Sequence, residues 1–146
     1  MKDQNCSYCM REEKPEIYSK FGYPVCALPS GYVFLFREQS KRGRVILAYK
    51  DHVDSLMDLS DSDRAAYFND VAKLGSAVRK IFSPDKINFG MYADTAHHMH
   101  IHIVPKYKDG DEWGGTFQMN PNKVFLTDEE YEKMAQQIRE ALNAAK

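Results

Sequence analysis

Apolar and polar residues alternate along this chain in a pattern that predicts five strands and two long helices. Short apolar runs bounded by turn residues predict strands at residues 23–28, 32–37, 44–49, 87–91 and 98–104. Apolar residues three and four positions apart predict helices that begin after Ser60 and after Thr127. Each of these two residues is followed three positions later by an acidic residue, as in a capping box. Because the strands do not alternate with helices, we expect an α+β fold with a largely antiparallel sheet rather than a doubly wound α/β fold.

Two segments, one at the N-terminus and one before the last helix, lack this regular pattern. Residues 1–16 are predicted to form an irregular N-terminal arm, and residues 109–122 a loop that contains the only tryptophan, Trp113. No internal repeat or linker divides the 146 residues, and this length suits one hydrophobic core. We therefore expect a single domain over residues 1–146, in which residues 109–146 form a C-terminal loop and helix.

Charge and hydrophobicity narrow the classes of partner. The 20 basic and 21 acidic residues give a net charge of −1, without the extended basic face that duplex binding normally needs. A small phosphorylated ligand needs only a few well-placed donors and stays possible. No stretch approaches the ~20 apolar residues that cross a bilayer, and the polar N-terminus lacks the apolar region of a signal peptide. The sequence predicts a cytoplasmic protein that binds neither nucleic acid nor a membrane.

Four of the five histidines lie between residues 97 and 102. In a strand, His98, His100 and His102 would point to one face at ~6.6 Å intervals, and His97 to the other. Such a row can be a solvated stripe, a set of metal ligands or a catalytic row. Coordination of one metal by all three is awkward because the outer rings start ~13 Å apart, although one of them could join a metal site built elsewhere. Imidazole has a pKa near neutrality, which favours the catalytic interpretation.

A pair of cysteines, Cys6 and Cys9, has the spacing C-x-x-C. This spacing is compatible with zinc, which would need two further ligands, and His52 and His98 are available. A redox pair would be expected at the start of a helix in a βαβ unit, and residues 1–16 show neither feature. A chance pair of thiols is the third interpretation.

Two separated motifs resemble the histidine-triad family. The heptapeptide HMHIHIV at residues 98–104 matches the family pattern His-φ-His-φ-His-φ-φ, in which φ is an apolar residue. Residues 45–52, followed by Leu56 and Leu59, resemble the strand, basic turn and start of a helix in the same family. The resemblance covers roughly residues 4–107, and the tail with residues 112–117 resembles a subset of bacterial members. It implies a five-stranded antiparallel sheet with two main helices, usually paired as a homodimer.

The resemblance also implies an activity. Members of the family transfer or hydrolyse nucleotides through a covalent nucleotidyl-histidine. By motif position His100 is the nucleophile that attacks the α-phosphorus, and His102 binds phosphate and supports it. Thr95 matches a phosphate-binding serine or threonine, Asn88 a phosphate-contacting asparagine, and Glu38 is the candidate for the residue that binds the ribose.

In relatives with an N-terminal C-x-x-C pair, the histidine after the basic turn and the first histidine of the triad complete a zinc site. Here those positions are occupied by the set Cys6, Cys9, His52 and His98. Such a closed site is structural, because it leaves no coordination position for water. The resemblance thus implies one structural zinc ion per chain.

The leading hypothesis is a nucleotide hydrolase that cleaves nucleoside phosphoramidates or dinucleoside polyphosphates at the α-phosphorus. A nucleotidyltransferase or phosphorylase would use the same histidine, and the acceptor leaves no motif in the sequence. A nucleotide-binding adaptor with vestigial catalysis is the alternative from another class of protein.

Overall fold

Five strands form one antiparallel sheet in the computed structural model, which describes residues 2–144. The strands are β1 (Gly22–Leu28), β2 (Gly31–Phe36), β3 (Val45–Tyr49), β4 (Lys86–Gly90) and β5 (His100–Lys106). Their order across the sheet is β1-β2-β3-β5-β4, and every neighbouring pair is antiparallel. The predicted α+β fold is therefore confirmed.

Three helices accompany the sheet: α1 (Pro15–Tyr18), α2 (Asp61–Phe82) and α3 (Asp128–Ala144). The sequence predicts α2 and α3, whereas α1 has four residues and is too short to show a helical period. The predicted cap of α3 is reciprocal, since Thr127 N donates to Glu130 (2.8 Å) and Glu130 N donates to Thr127 Oγ1 (3.2 Å). Among residues 2–144, no helix combines the length and the apolar character that spanning a bilayer requires.

The two faces of the sheet are covered by different parts of the chain. One face carries an apolar cluster with α2 and α3, which includes Leu35, Leu47, Ile103, Leu74 and Ile138. On the other face the N-terminal arm packs with the central strands in a second cluster, which includes Cys6, Tyr8, Cys9, Phe34 and Ile46. Because β3 is buried on both faces, its residues form a continuous apolar run.

The prediction that a strand begins at His98 was wrong by two residues, because β5 begins at His100. The backbone of His97 has a φ of 45°, in the left-handed region, which turns the chain just before β5. Past the end of β3, Met99 N then donates to Val53 O at 2.8 Å. His98 therefore lies just before β5, next to the strand residues His100 and His102.

Candidate active site and metal centre

The pairing of β3 with β5 places small or apolar side chains beside the histidines. Ile46 lies opposite His102 and Ala48 lies opposite His100. The space above them is a cleft of about 580 Å³. Its walls come from the N-terminal arm, from strands β2, β3 and β5, and from the loops before and after β5. The lining residues include Tyr8, Phe36, Ile46, Thr95, His100, His102, Phe117 and Met119. The structure therefore brings His100, His102 and Thr95 to one cavity.

His100 is oriented by the backbone. Its Nδ1 lies 2.7 Å from the carbonyl oxygen of His98, and because a carbonyl can only accept, Nδ1 carries the proton. In the neutral ring Nε2 then holds a lone pair, and it has no hydrogen-bond partner among residues 2–144. Burial lowers the pKa of His100, which favours this neutral form. The ring is thus prepared to act as a nucleophile.

His102 lies beside His100, with ring centroids 5.2 Å apart. Its Nδ1 is contacted by two nitrogen atoms of Arg44, Nη2 at 3.0 Å and Nε at 3.3 Å. Burial, and then the charge of Arg44, lower the pKa of His102 to about 2. The ring is therefore neutral at physiological pH.

Arg44 is a residue of this site that the sequence reasoning missed. Its side chain is 1% exposed and lies 4.0 Å from the centre of the Phe36 ring, and its Nη1 donates to the carbonyl oxygen of Met119 at 2.7 Å. Burial lowers the pKa of Arg44 to about 10, so the guanidinium stays charged. Strand alternation could have located it, because Arg44 precedes Ile46 by two residues and so falls on the same face.

The four predicted metal ligands meet in one group beside the cleft, in which Cys6, Cys9 and His98 are buried and His52 is partly exposed. The ligand atoms of Cys6, Cys9, His52 and His98 all lie within 4.8 Å of one another. His98 Nδ1 is 3.4 Å from Cys6 Sγ and 3.6 Å from Cys9 Sγ, and His52 Nδ1 is 3.4 Å from Cys9 Sγ. Tetrahedral coordination with ordinary zinc–sulfur and zinc–nitrogen bonds would separate S and N by about 3.6 Å. The four residues could therefore hold a metal ion.

The surroundings of the group fit this use of the imidazoles. His98 Nε2 lies 2.8 Å from the carbonyl oxygen of Tyr49, which fixes the proton on Nε2 and leaves Nδ1 free to bind a metal. His52 Nε2 faces the carboxylate of Asp3 at 3.7 Å. Partners of this kind orient metal-binding histidines in other proteins.

Tyr8, between the two cysteines, is a second residue that the sequence reasoning missed. Its ring centroid lies 5.2 Å from that of His98 and 4.9 Å from that of His100. The turn that carries the two cysteines thus also supplies a wall of the cleft. No periodicity marks this tyrosine, because the turn acquires its position only when the two cysteines and the two histidines meet.

The three predicted substrate contacts occupy different surroundings. Thr95 is exposed and lines the cleft. Asn88 lies on β4 opposite Val104 and is not among the cleft residues. Glu38 is buried and also lies outside the cleft lining; its carboxylate accepts a hydrogen bond from Ser40 Oγ at 3.0 Å. The roles of all three stay predictions.

Sequence comparisons place the chain among known proteins. A family model described as HIT domain matches residues 25–109. The chain is 30% identical over 90 residues to "Protein hit" of Bacillus subtilis, covering 58% of this chain and 62% of that relative. It is 31% identical over 71 residues to the asymmetrical bis(5'-nucleosyl)-tetraphosphatase of Schizosaccharomyces pombe, covering 45% of this chain and 39% of that one. The matched regions thus span less than two thirds of either relative.

Solved structures share the fold at low sequence identity. A histidine triad protein from Marinobacter aquaeolei has a TM-score of 0.78 and 16% identity, with 88% of this chain and 94% of that chain covered. A zinc-bound histidine triad family protein from Mycobacterium smegmatis has a TM-score of 0.66 and 20% identity, with 97% and 95% covered. The family match covers more than half of the chain, the architecture agrees with these structures, and two of the three histidines of the row, His100 and His102, lie on β5: the chain belongs to the HIT domain family.

Proposed function

We propose that this protein hydrolyses nucleotides at the α-phosphorus through a nucleotidyl intermediate on His100. The observation that carries the proposal is the hydrogen bond from His100 Nδ1 to the carbonyl of His98, which leaves Nε2 as the lone-pair nitrogen. A relative named as a dinucleoside tetraphosphatase supports the substrate class. Nucleoside phosphoramidates and dinucleoside polyphosphates are the substrates to test.

In the first step, the lone pair of His100 Nε2 forms a bond to the α-phosphorus. The bond from phosphorus to the leaving oxygen or nitrogen breaks, and the leaving group departs with the electron pair and takes a proton from water. His100 keeps the proton on Nδ1 and so becomes a cation. The His98 carbonyl stabilises this charged form, because it already accepts the hydrogen bond that the Nδ1–H group of His100 donates.

In the second step, water attacks the same phosphorus. The bond between phosphorus and Nε2 breaks, its electron pair returns to His100, and the water loses a proton to solvent. The products are a nucleoside monophosphate and neutral His100. Phosphate in place of this water would make the enzyme a phosphorylase, so product analysis with and without phosphate separates the two reactions.

Two groups in the cleft are suited to contact the phosphoryl oxygens. Thr95 and His102 line the same cleft as His100, and a hydroxyl and an imidazole N–H can each donate to a phosphoryl oxygen. Hydrogen bonds to a charged oxygen strengthen as charge develops in the transition state. Asn88 and Glu38 stay predicted contacts to phosphate and ribose, which substrate binding would have to bring toward the cleft.

We also propose that Cys6, Cys9, His52 and His98 hold a structural zinc ion. The two thiols and two imidazole nitrogens form a donor set that zinc prefers, and they close all four positions of a tetrahedron. When bound, the ion would tie the arm to the sheet and leave no site for a reactive water. The zinc-bound relative from M. smegmatis supports the choice of metal.

The proposed activity is tested by turnover of adenosine 5'-phosphoramidate and diadenosine tetraphosphate. His100→Ala should abolish turnover while circular dichroism shows a wild-type fold. His97→Asn is the matched control, because His97 is exposed outside the cleft and asparagine tolerates its left-handed backbone. Full activity in His100→Ala would contradict the mechanism, and nucleotide binding by the wild type without turnover would indicate an adaptor. The predicted homodimer is tested separately by sedimentation.

A further inference from the structure

Arg44 is a buried cation without an ionic partner close at hand. No carboxylate oxygen of residues 2–144 lies within 4.0 Å of its guanidinium, and the more distant charges of Glu38 and Glu112 offset only part of the burial that lowers its pKa. Burial of a charge that is not paired is costly. The bonds that Arg44 makes instead go to neutral acceptors at the cleft. Burial of the Arg44 charge thus lowers the stability of the fold. A role of Arg44 at the active site would explain why the charge is buried there.

The contact between Arg44 and His102 fixes the position of a proton. A guanidinium has five N–H donors and no acceptor, so His102 Nδ1 can meet it only through a lone pair. A neutral imidazole that is unprotonated at Nδ1 carries its proton on Nε2. Nε2 has no hydrogen-bond partner among residues 2–144, and the ring lines the cleft. The proton is therefore available to a ligand.

The same guanidinium also holds a wall of the cleft. Its Nη1 donates to the carbonyl oxygen of Met119 at 2.7 Å, and to that of Gln118 at 3.4 Å. Phe117 and Met119 line the cleft, and the Phe117 ring centre is 5.0 Å from the guanidinium carbon. Arg44 therefore joins this segment to the histidine strand.

We propose that Arg44 is a positioning residue that sets His102 in the Nε2–H tautomer, so that His102 donates a hydrogen bond to the α-phosphoryl group. The kinetic part of this inference rests on the proposed function, whereas the tautomer does not. Lysine at this position would keep the positive charge but lack the planar fork that contacts His102 and the Met119 carbonyl together. Methionine would remove both the charge and the donors.

The tautomer is measured directly by nitrogen-15 NMR of the histidine rings, with His102→Gln used to assign the His102 signals. The wild-type protein should show His102 protonated at Nε2 and unprotonated at Nδ1. Arg44→Met should show a mixture of tautomers or a proton on Nδ1. A wild-type His102 that is protonated at Nδ1 would overturn the inference without any variant. If Arg44→Met does not fold, the wild-type spectrum and Arg44→Lys decide.

Kinetics provide the second measurement. Arg44→Lys and Arg44→Met should lower kcat at least about tenfold, as expected when an imidazole is no longer held in its working tautomer. Arg42→Met is the matched control, because Arg42 is exposed and outside the cleft lining, and it should keep wild-type kcat and KM. Wild-type kcat and an unchanged His102 tautomer in both Arg44 variants would contradict the inference. A wild type that turns over neither substrate would instead contradict the proposed function, and the NMR measurement would still test Arg44.

Discussion

The carbonyl oxygen of His98 accepts a hydrogen bond from Nδ1 of His100 at 2.7 Å, while the ring of His98 lies 3.4 Å from the sulfur of Cys6. One residue thus orients the proposed nucleophile through its backbone and joins the metal-ligand group through its side chain. Tyr8 packs on both rings and connects the same two sites. Substitution of a residue in the metal-ligand group should therefore change the orientation of the His100 ring.

We predict that removal of the metal ion lowers both stability and turnover. Protein purified without chelators or affinity-tag metal should contain one zinc per chain, and Cys6→Ser should lose it because a hydroxyl is a poor zinc ligand. The variant should unfold at a lower temperature and have a lower kcat. Cys26→Ser is the control. Cys26 lies outside the group of four ligands, so this variant should retain zinc. An absence of stoichiometric zinc in the wild type would exclude the proposed metal.

We predict that acid destabilises the fold through His102. Its pKa is about 2 in the folded chain, against ~6.5 for an unperturbed histidine. A base whose pKa is lowered by folding binds a proton more readily when unfolded. The stability that His102 contributes is therefore present above pH ~6.5 and is lost as the pH falls below that value. The slope due to His102 approaches about 1.4 kcal/mol per pH unit only well below pH ~6.5, and the loss between about pH 7.5 and 5.5 amounts to about 1.4 kcal/mol in all.

Urea unfolding of the wild type and His102→Gln between about pH 7.5 and 5.5 measures this slope. Cys6, Cys9, His52 and His98 are the same in both proteins, so any acid sensitivity of that group cancels and the difference between the slopes isolates His102. The wild type should lose stability more steeply. Parallel slopes would show that His102 takes up a proton in the folded state.

We predict that Thr95 contributes a phosphate contact. Thr95→Val keeps the shape of the side chain and removes its hydroxyl, and should lower kcat/KM roughly 10- to 100-fold, the effect of one lost hydrogen bond to a charged group. Thr116→Val is the matched control, because Thr116 is exposed and outside the cleft lining. Equal kcat/KM values for the two variants would remove Thr95 from the site.

We predict that the cap of α3 stabilises the fold. Thr127→Ala removes the hydroxyl that accepts from Glu130 N, and it should lower the free energy of unfolding by about 1 kcal/mol. Thr116→Ala serves as the exposed control, and urea unfolding of both variants compares the losses. Equal stabilities would mean that the cap contributes nothing measurable.

The elements with a clear period were predictable from the sequence, and so was the metal-ligand group. The capped helix after Thr127 follows from local rules, and the row at His98, His100 and His102 from strand alternation and a family motif. The start of β5 was not, because the left-handed backbone of His97 turns the chain there and Met99 N donates to Val53 O past the end of β3. Such a contact joins residues 46 positions apart and leaves no local pattern.

The residues that the sequence reasoning missed share one cause. Tyr8 and Arg44 act through contacts with distant parts of the chain: the histidine strand for Tyr8, and His102 and the Met119 carbonyl for Arg44. Strand alternation assigns Arg44 to a face of the sheet but does not reveal its partners, and a tyrosine in a polar arm resembles an ordinary surface residue. Only the packing of the arm and the 117–120 segment against the sheet buries them.

The central claim is that the nucleotide becomes bonded to His100. Rapid mixing of the wild-type protein with adenosine 5'-phosphoramidate, followed by quenching at a pH that preserves the phosphorus–nitrogen bond and by peptide mass spectrometry, tests it directly. The account predicts an adenylyl group on His100 that forms and decays at rates consistent with kcat. Turnover without such an adduct, or an adduct on another residue, would contradict it.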